Sequence, residues 1–323
     1  MRCARCGAPA THKVDAIKAP ISFEAVELDV CEECFYSWRP EIGRGGEIRW
    51  KKRGTITRKL LLIAVGSKRL ARLVEKIAES WIGGLLSSRP FYWIGLAALP
   101  ILPILLFYSI ALHFVNPEPI LKWKSIASSR PGLGTLIPLL DPLTISLNFW
   151  VAFLIAAVLH ELAHAVVASR AGIKPTSVNL LFLGPIPFGI YVESPRVIKD
   201  VKVYAAGPAA NIAFAGVLAM VMAFLGKWQL ILLPPEIFAV LGLPVEAPPA
   251  LATISWIAFM NFWIVGLINA SPLFPSLDGQ GILSVYLWRK LGKRGAKAGF
   301  YVSLGLGIVT AALIVVQSLP ARL

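Results

Sequence analysis

The chain has 323 residues, of which 56% are hydrophobic and 15% charged, and its formal net charge is +14. This composition, with a mean hydropathy of +0.69, excludes an ordinary soluble domain and predicts an α-helical polytopic membrane protein in a lipid bilayer. The positive charge does not indicate a nucleic-acid partner, because Lys and Arg cluster in a few loops, as they do in multi-span proteins.

The cysteines of the chain form two Cys-x-x-Cys pairs in its first part. Paired motifs at this spacing predict a small zinc-ribbon domain over residues 1–45, in which the thiolates hold a structural Zn²⁺ ion. The ligands would be Cys3, Cys6, Cys31 and Cys34. Two alternatives stay open, an iron site with the same ligands and two disulfides, although disulfides are rare on the reducing side of a membrane. The loose apolar alternation of residues 21–30 predicts a short strand.

A basic segment follows at residues 46–90, with a run of Lys and Arg between Arg49 and Lys59. Such a run beside a membrane span is attracted to anionic lipid, and nucleic-acid binding is the weaker alternative. Apolar residues recur at helical spacing over residues 57–81, which predicts an interfacial helix. We therefore interpret residues 46–90 as a basic linker with an interfacial helix.

Residues 91–323 form the predicted polytopic membrane domain, with about five or six spans. Long apolar stretches predict five of them, at 91–115, 147–169, 203–225, 250–268 and 299–319. Pro100 and Pro103 predict a kink in the first span. The stretch 228–243 is broken by prolines and predicts a re-entrant or interfacial segment, and 281–288 predicts a further partial span.

The distribution of Lys and Arg predicts the orientation of the chain. These residues are abundant before the first span and after the second and fourth spans, whereas the loops after the first and third spans contain few. Cytoplasmic loops carry the excess of positive charge. The chain is therefore predicted to lie in the cell membrane with a cytosolic N-terminus. Charges close to residue 1, without an early apolar core, predict that there is no signal peptide.

The second predicted span contains His160-Glu161-Leu162-Ala163-His164. Residues i and i+4 share one face of a helix, so the two imidazoles can bind one Zn²⁺ ion. Glu161 lies beside them, where it can take a proton from a zinc-bound water. Ionisable groups are costly inside a membrane, so a catalytic metal site is favoured over a packing role. The motif predicts metal-assisted hydrolysis, most often of a peptide bond, in a cavity open to the cytosol.

Two later features complete the predicted site. Residues 176–193 alternate around Gly and Pro, which predicts a β-hairpin whose edge could pair with an extended peptide; a covering loop is the equal alternative. Catalytic zinc takes three protein ligands, and no third His follows closely. Asp278 is the candidate, because it follows a helix end broken by prolines. Spacing alone does not separate a ligand from a turn residue there.

Three motifs, in this order, resemble the landmarks of the site-2 protease family of intramembrane zinc metalloproteases. They lie at residues 160–164, 206–211 (Ala-Gly-Pro-Ala-Ala-Asn) and 277–279 (Leu-Asp-Gly). The resemblance covers residues 147–288 and implies hydrolysis of peptide bonds in or near the transmembrane segments of membrane-protein substrates. It also implies that the small residues of the second motif pack beside the catalytic helix and that the β element aligns the substrate.

The resemblance also assigns roles to single residues. It implies that His160, His164 and Asp278 bind the catalytic zinc and that Glu161 activates water. Asn269 would contribute to substrate binding, although the stretch from Asn269 to Asp278 exceeds the family form by a residue between its two prolines. The four-cysteine segment lies outside the resemblance, so its role is not carried over.

Two other functions are compatible with these residues. In a metal-ion transporter, His160, Glu161, His164 and Asp278 would form a translocation site, which requires polar residues along several spans. In a catalytically idle adaptor, the zinc ribbon would bind a cytosolic partner, and Glu161 would have no purpose. The intramembrane zinc metalloprotease uses all of these residues, so it is the predicted function.

Overall fold

The computed structural model describes residues 1–19, 24–43, 46–53, 56–59, 62–115, 147–183, 186–194, 198–231, 233–240 and 245–318. The described chain contains two four-stranded sheets and five helical stretches that are long and apolar enough to cross a membrane: Arg89–Ser109, Leu147–Arg170, Val201–Phe224, Pro249–Ile268 and Asp278–Ala312. The predicted fold class is confirmed: a polytopic helical membrane protein with a short β element and an N-terminal four-cysteine cluster.

The N-terminal domain is a sheet with strand order β2-β1-β3-β4 and one short helix. Its elements are β1 (His12–Ala19), β2 (Glu24–Val30), α1 (Glu32–Ser37), β3 (Trp38–Ile42) and β4 (Ile48–Lys52). Val14, Val30 and Phe35 are at most 2% exposed and form its core with Cys3 and Cys34. β2 confirms the predicted strand, whose residues 21–23 lie outside the described residues. The sheet continues past the predicted boundary at residue 45.

The second sheet joins two distant parts of the sequence. Its order is β5-β6-β7-β8, and every neighbouring pair is antiparallel. The strands are β5 (Ile56–Lys59), β6 (Leu62–Ser67), β7 (Ser177–Leu183) and β8 (Ile186–Glu193). The hairpin predicted at residues 176–193 is confirmed as β7 and β8.

The prediction of one helix over residues 57–81 was wrong for its first part, where β5 and β6 occur. Ile56, Thr57, Ile63 and Val65 are β-branched and favour strands. β6 pairs along most of β7, and this pairing satisfies backbone groups that would otherwise leave β7 as an open edge. The helix itself, α2, begins only at Lys68.

Helix α2 (Lys68–Glu79) is amphipathic and is followed by α3 (Trp81–Leu86). On one face of α2, Val74 and Ala78 are buried in a cluster with residues of the second predicted span. On the other side, Leu73 is 51% exposed, and Trp81 at the start of α3 is 75% exposed. This pattern suits a helix at a membrane surface, and its position on the bilayer stays a prediction.

The remaining helices follow the predicted spans. They are α4 (Arg89–Ala98), α5 (Ile101–Val115), α6 (Leu147–Arg170), α7 (Val201–Phe224), α8 (Pro235–Val240), α9 (Pro249–Phe259), a π-helix (Met260–Ile268) and α10 (Asp278–Ser318). α4 and α5 are separated only by Leu99 and Pro100, and the kink predicted at Pro100 and Pro103 stays a prediction. α10 is interrupted at Gly292, whose φ of 61° is left-handed, so the predicted segments 281–288 and 299–319 belong to one broken helix. Within 228–243 the structure describes a 3-10 turn (Trp228–Leu230) and α8. That this segment is re-entrant or interfacial stays a prediction.

Small residues allow α7 to pack closely against α4 and α6. Ala205, Ala206, Ala209 and Ala210 are at most 3% exposed. On α4, a Cβ atom at Gly95 would lie only 2.2 Å from the carbonyl oxygen of Ala205, so this contact requires glycine. The membrane domain is therefore built around α7, which lies directly against the His-containing motif of α6.

Candidate functional site

Three ionisable side chains meet where α6, α7 and the start of α10 come together. His160 and His164 lie one turn apart on α6, and Asp278 is the first residue of α10. Asp278 Oδ2 lies 2.8 Å from His160 Nε2 and 3.1 Å from His164 Nε2, and the two Nε2 atoms are 3.0 Å apart. Folding thus brings Asp278 to the histidines across 118 and 114 residues of sequence.

The distances and the donor atoms fit a zinc ion. Zinc binds nitrogen and carboxylate oxygen at about 2.0–2.2 Å, so two ligand atoms of a tetrahedral site lie roughly 3.3 Å apart. The observed separations of 2.8, 3.0 and 3.1 Å are close to that value. Two imidazoles and one carboxylate also form a common ligand set of catalytic zinc sites. Their role as zinc ligands stays a prediction.

Hydrogen bonds orient both imidazole rings toward one point. His164 Nδ1 lies 2.5 Å from the carbonyl oxygen of Val203, which can only accept, so Nδ1 carries the proton. His160 Nδ1 lies 2.7 Å from Asn211 Oδ1. The Asn211 amide group donates to the carbonyl oxygen of Ala156 at 3.0 Å, so its oxygen faces His160. Both Nε2 atoms therefore keep a lone pair for a metal.

Gly207 on α7 forms the wall of the site opposite the imidazoles. A Cβ atom at this position would lie 2.4 Å from His164 Nε2 and 2.7 Å from His160 Nε2. Any side chain there would occupy the space where the three ligand atoms converge. At Gly207, the small size predicted to matter for packing at 206–211 keeps the space between the ligand atoms free.

A cavity of about 160 Å³ opens beside these residues. Glu161, His164 and Asp278 line it, together with Val192 of β8 and Ser194, which follows that strand. At about 30 Å³ per water molecule, it has room for roughly five waters. Val192 and Glu161 line the same cavity. Glu161 is thus placed where a carboxylate could exchange a proton with water in the cavity.

The chain between the π-helix and α10 carries Asn269 and Asp278 to the site. Asn269 Nδ2 lies 2.9 Å from His160 Nε2, so this residue is at the site despite the longer connection. Ser276 has a φ of 76°, a left-handed conformation that a non-glycine residue rarely adopts. A Cβ atom at Gly279 would lie 2.1 Å from the carbonyl oxygen of Ala270, so the turn into α10 needs glycine. A substrate-binding role of Asn269 stays a prediction.

Comparison with known families decides the classification. The family model described as Peptidase family M50 matches residues 148–314, just over half of the chain. The chain belongs to peptidase family M50. The resemblance drawn from the three motifs is thereby confirmed, and the matched region contains His160, Glu161, His164 and Asp278.

Two relatives of this M50 chain come from Mycobacterium tuberculosis, strains Erdman and H37Rv. Both are named "Putative zinc metalloprotease Rip3", and each is 31% identical over 193 residues. The similar region covers 56% of this chain and 43% of each relative, so the chain spans less than half the length of these proteins. No solved structure matches the chain.

One polar residue of the M50 domain was missed by sequence reasoning. Asn261, in the π-helix, is completely buried, and its Oδ1 accepts a hydrogen bond of 2.6 Å from Asn211 Nδ2. Through Asn211 it therefore supports the orientation of His160. An amide inside an otherwise apolar span was the signal that could have identified it.

The cysteines of the N-terminal domain form a second cluster, outside the M50 match. The four Sγ atoms lie within 4.8 Å of one another, and the thiols are free. Cys6 Sγ is 3.6 Å from Cys31 Sγ and from Cys34 Sγ, near the roughly 3.8 Å expected between two sulfurs on one zinc. Burial raises the pKa of Cys3, but the backbone N–H groups of Cys31, Cys6 and Arg5 outweigh it and bring that pKa to about 6. These residues fit the predicted structural zinc ion.

Proposed function

We propose that this chain is an intramembrane zinc metalloprotease of the site-2 protease type. One observation carries the proposal: His160, His164 and Asp278 converge inside apolar helices, with Glu161 beside them at a cavity. Membership of peptidase family M50 supports metalloprotease chemistry, and the name of the relatives, putative zinc metalloproteases, supports zinc as the metal.

The residues of the site have different roles in hydrolysis. His160, His164 and Asp278 would hold the metal, and zinc bound there supplies a Lewis acid that acidifies water and polarises a carbonyl group. Glu161 accepts the proton of the attacking water and then gives it to the nitrogen of the leaving amine. The C–N bond breaks after the new C–O bond has formed, and water is the only co-substrate. Asn211 keeps the His160 imidazole oriented throughout.

Strand β8 suits an extended substrate. The sheet order leaves β8 as an edge among the described strands. Val192 of β8 and Ser194 just after it line the cavity beside Glu161. A transmembrane substrate must unwind to expose a peptide bond, and its extended backbone can then pair with an edge strand. We therefore propose membrane-spanning proteins as substrates, with β8 setting which bond reaches Glu161.

We further propose a location in the cell membrane, a cytosolic N-terminus and a structural zinc ion at the four cysteines. The concentration of Lys and Arg in residues 1–90 supports this orientation. Free thiols within 4.8 Å of one another support the second metal site. A cytosolic location would keep these thiols reduced and able to bind metal.

Cleavage of a single-span test protein by the purified full chain in lipid vesicles tests the function. We expect the wild type to cleave and Glu161→Gln to lose cleavage while it retains membrane-site zinc, because the amide keeps the size of the side chain but cannot accept the proton. Activity of Glu161→Gln within a few fold of wild type would exclude the proposed role of Glu161. Metal transport across the vesicle without cleavage would favour a transporter.

A further inference from the structure

A buried ion pair joins the N-terminal domain to the sheet beside the active site. Arg53 follows β4, and its side chain is only 8% exposed. Its Nη1 lies against Oε1 of Glu193, the last residue of β8, whose side chain is 24% exposed. By contrast, Lys51 in the pair Lys51–Glu41 of the same domain is 70% exposed. Burying an arginine is costly unless it is paired, so this contact calls for a specific explanation.

The N-terminal domain holds Arg53 in place from the other side. The backbone N–H of Arg53 donates to the carbonyl oxygen of Ser37 at 2.8 Å, and its Nε donates to that of Trp38 at 3.1 Å. Trp38 directly follows α1, the helix that carries Cys34. Burial lowers the pKa of Arg53, and the nearby Glu193 carboxylate opposes that lowering. The guanidinium is thus fixed between the cysteine-bearing part of the domain and the end of β8.

Glu193 lies between two residues that line the active-site cavity. Val192 and Ser194 both line it, together with Glu161. Successive side chains of a strand point to opposite faces, so Glu193 is on the face away from the cavity. There its Oε1 meets Arg53, and its Oε2 accepts a hydrogen bond of 3.1 Å from the Ser177 hydroxyl on β7. Arg53 therefore supports, from behind, the part of β8 that lines the cavity beside Glu161.

We propose that Arg53 is a positioning residue for the cleavage reaction. Through Arg53, the N-terminal domain fixes the end of β8 against the active-site cavity. The proposal rests on the proposed function, in which β8 aligns the substrate. It makes the N-terminal domain part of the support of the active site. Loosening the end of β8 then changes both the rate and the choice of the cleaved bond, without removing a metal ligand.

The test compares four variants of the full chain in vesicles with a single-span substrate: Arg53→Met, Glu193→Gln, the double variant, and Lys51→Met. Lys51→Met is the matched control, because it breaks an exposed pair of the same domain. Steady-state kcat and KM, cleavage positions by mass spectrometry and zinc per chain are measured. We expect Arg53→Met to lower kcat/KM about tenfold or more and to add cleavage at neighbouring bonds, with zinc unchanged. The control stays within about twofold of wild type.

The double variant tests whether the two residues act as a pair. Its kcat/KM should equal that of the Arg53→Met variant, because that single substitution has already broken the ion pair and the amide introduced by Glu193→Gln keeps an oxygen that can accept from the Ser177 hydroxyl. Losses that multiply would overturn the proposal, as would an Arg53→Met variant that matches Lys51→Met in rate and cleavage positions. If Arg53→Met does not fold, Arg53→Lys replaces it in the test of the positioning role. This variant keeps the positive charge but loses the hydrogen bond from Arg53 Nε to the carbonyl oxygen of Trp38. An intermediate rate with added cleavage positions supports the role, and wild-type behaviour overturns it.

Hydrogen exchange separates this proposal from the proposed function. If the wild type itself cleaves nothing, the protease assignment fails, but the backbone amides of residues 190–194 can still be followed. Their protection should fall in Arg53→Met and not in Lys51→Met. Equal protection in both variants would overturn the positioning role.

Discussion

At the scale of single residues, Asp278 depends most on folding, because 114 residues separate it from His164. We predict that Asp278→Ala abolishes cleavage and weakens zinc binding at the membrane site, since two histidines leave zinc short of its usual three protein ligands. The loss of activity should exceed the roughly 10- to 100-fold loss that is typical when a residue that only supports a metal ligand is replaced. Activity assays and zinc analysis per chain measure both effects.

Asp200→Ala is the matched control for that variant. Asp200 caps α7 by accepting a hydrogen bond of 3.0 Å from the Lys202 N–H, so its loss costs about 1 kcal/mol of stability and no metal ligand. Full zinc content and activity in Asp278→Ala would contradict the assignment of Asp278.

At the scale of elements, the contact between α7 and the π-helix carries the next prediction. Asn261 accepts from Asn211, which in turn orients His160. We predict that Asn261→Leu lowers zinc affinity about 10- to 100-fold. It should also destabilise the fold by about 1–3 kcal/mol, because it leaves a buried Asn211 N–H without its partner. Chelator competition and thermal unfolding measure the two effects.

The control for this variant is Asn148→Leu at the other end of α6. Asn148 accepts a hydrogen bond of 2.9 Å from the Thr253 hydroxyl, about 18 Å along the helix from His160. It should lose stability without losing zinc affinity. If both variants bind zinc like the wild type, the amide chain through Asn211 does not orient the ligand.

The elements also show which parts of the fold can be predicted from the sequence. The spacing of His160 and His164 is local, so helical geometry alone places them on one face. The position of Asp278 depends on the whole bundle, and spacing could not decide it. The helix prediction for residues 57–67 fails for a related reason: β6 forms by pairing with β7, which lies more than a hundred residues later, and β5 in turn pairs with β6. A periodicity measured within one window does not contain that partner.

At the scale of the whole molecule, the two clusters predict two separable metal ions. In the cysteine cluster and in the His160–His164–Asp278 cluster, the possible ligand atoms lie within 4.8 Å of one another. We predict about two zinc ions per chain, falling to about one in the Cys3→Ser, Cys6→Ser variant. Elemental analysis of the purified chain measures this. The same stoichiometry in both proteins would show that the thiols are not ligands, and iron in the wild type would change only the identity of the metal.

The second sheet, whose strands come from two distant parts of the sequence, also limits how such a protein can evolve by domain exchange. The M50 match begins at residue 148, whereas β6, the partner of β7, lies at Leu62–Ser67. A gene fragment that began at residue 148 would encode β7 with an open edge, and unpaired backbone groups beside a membrane favour aggregation. Recombination could exchange the cysteine domain without this cost only at a junction upstream of Ile56. If the junction lay between Arg53 and Ile56, the replacement domain would also have to supply a cation for Glu193.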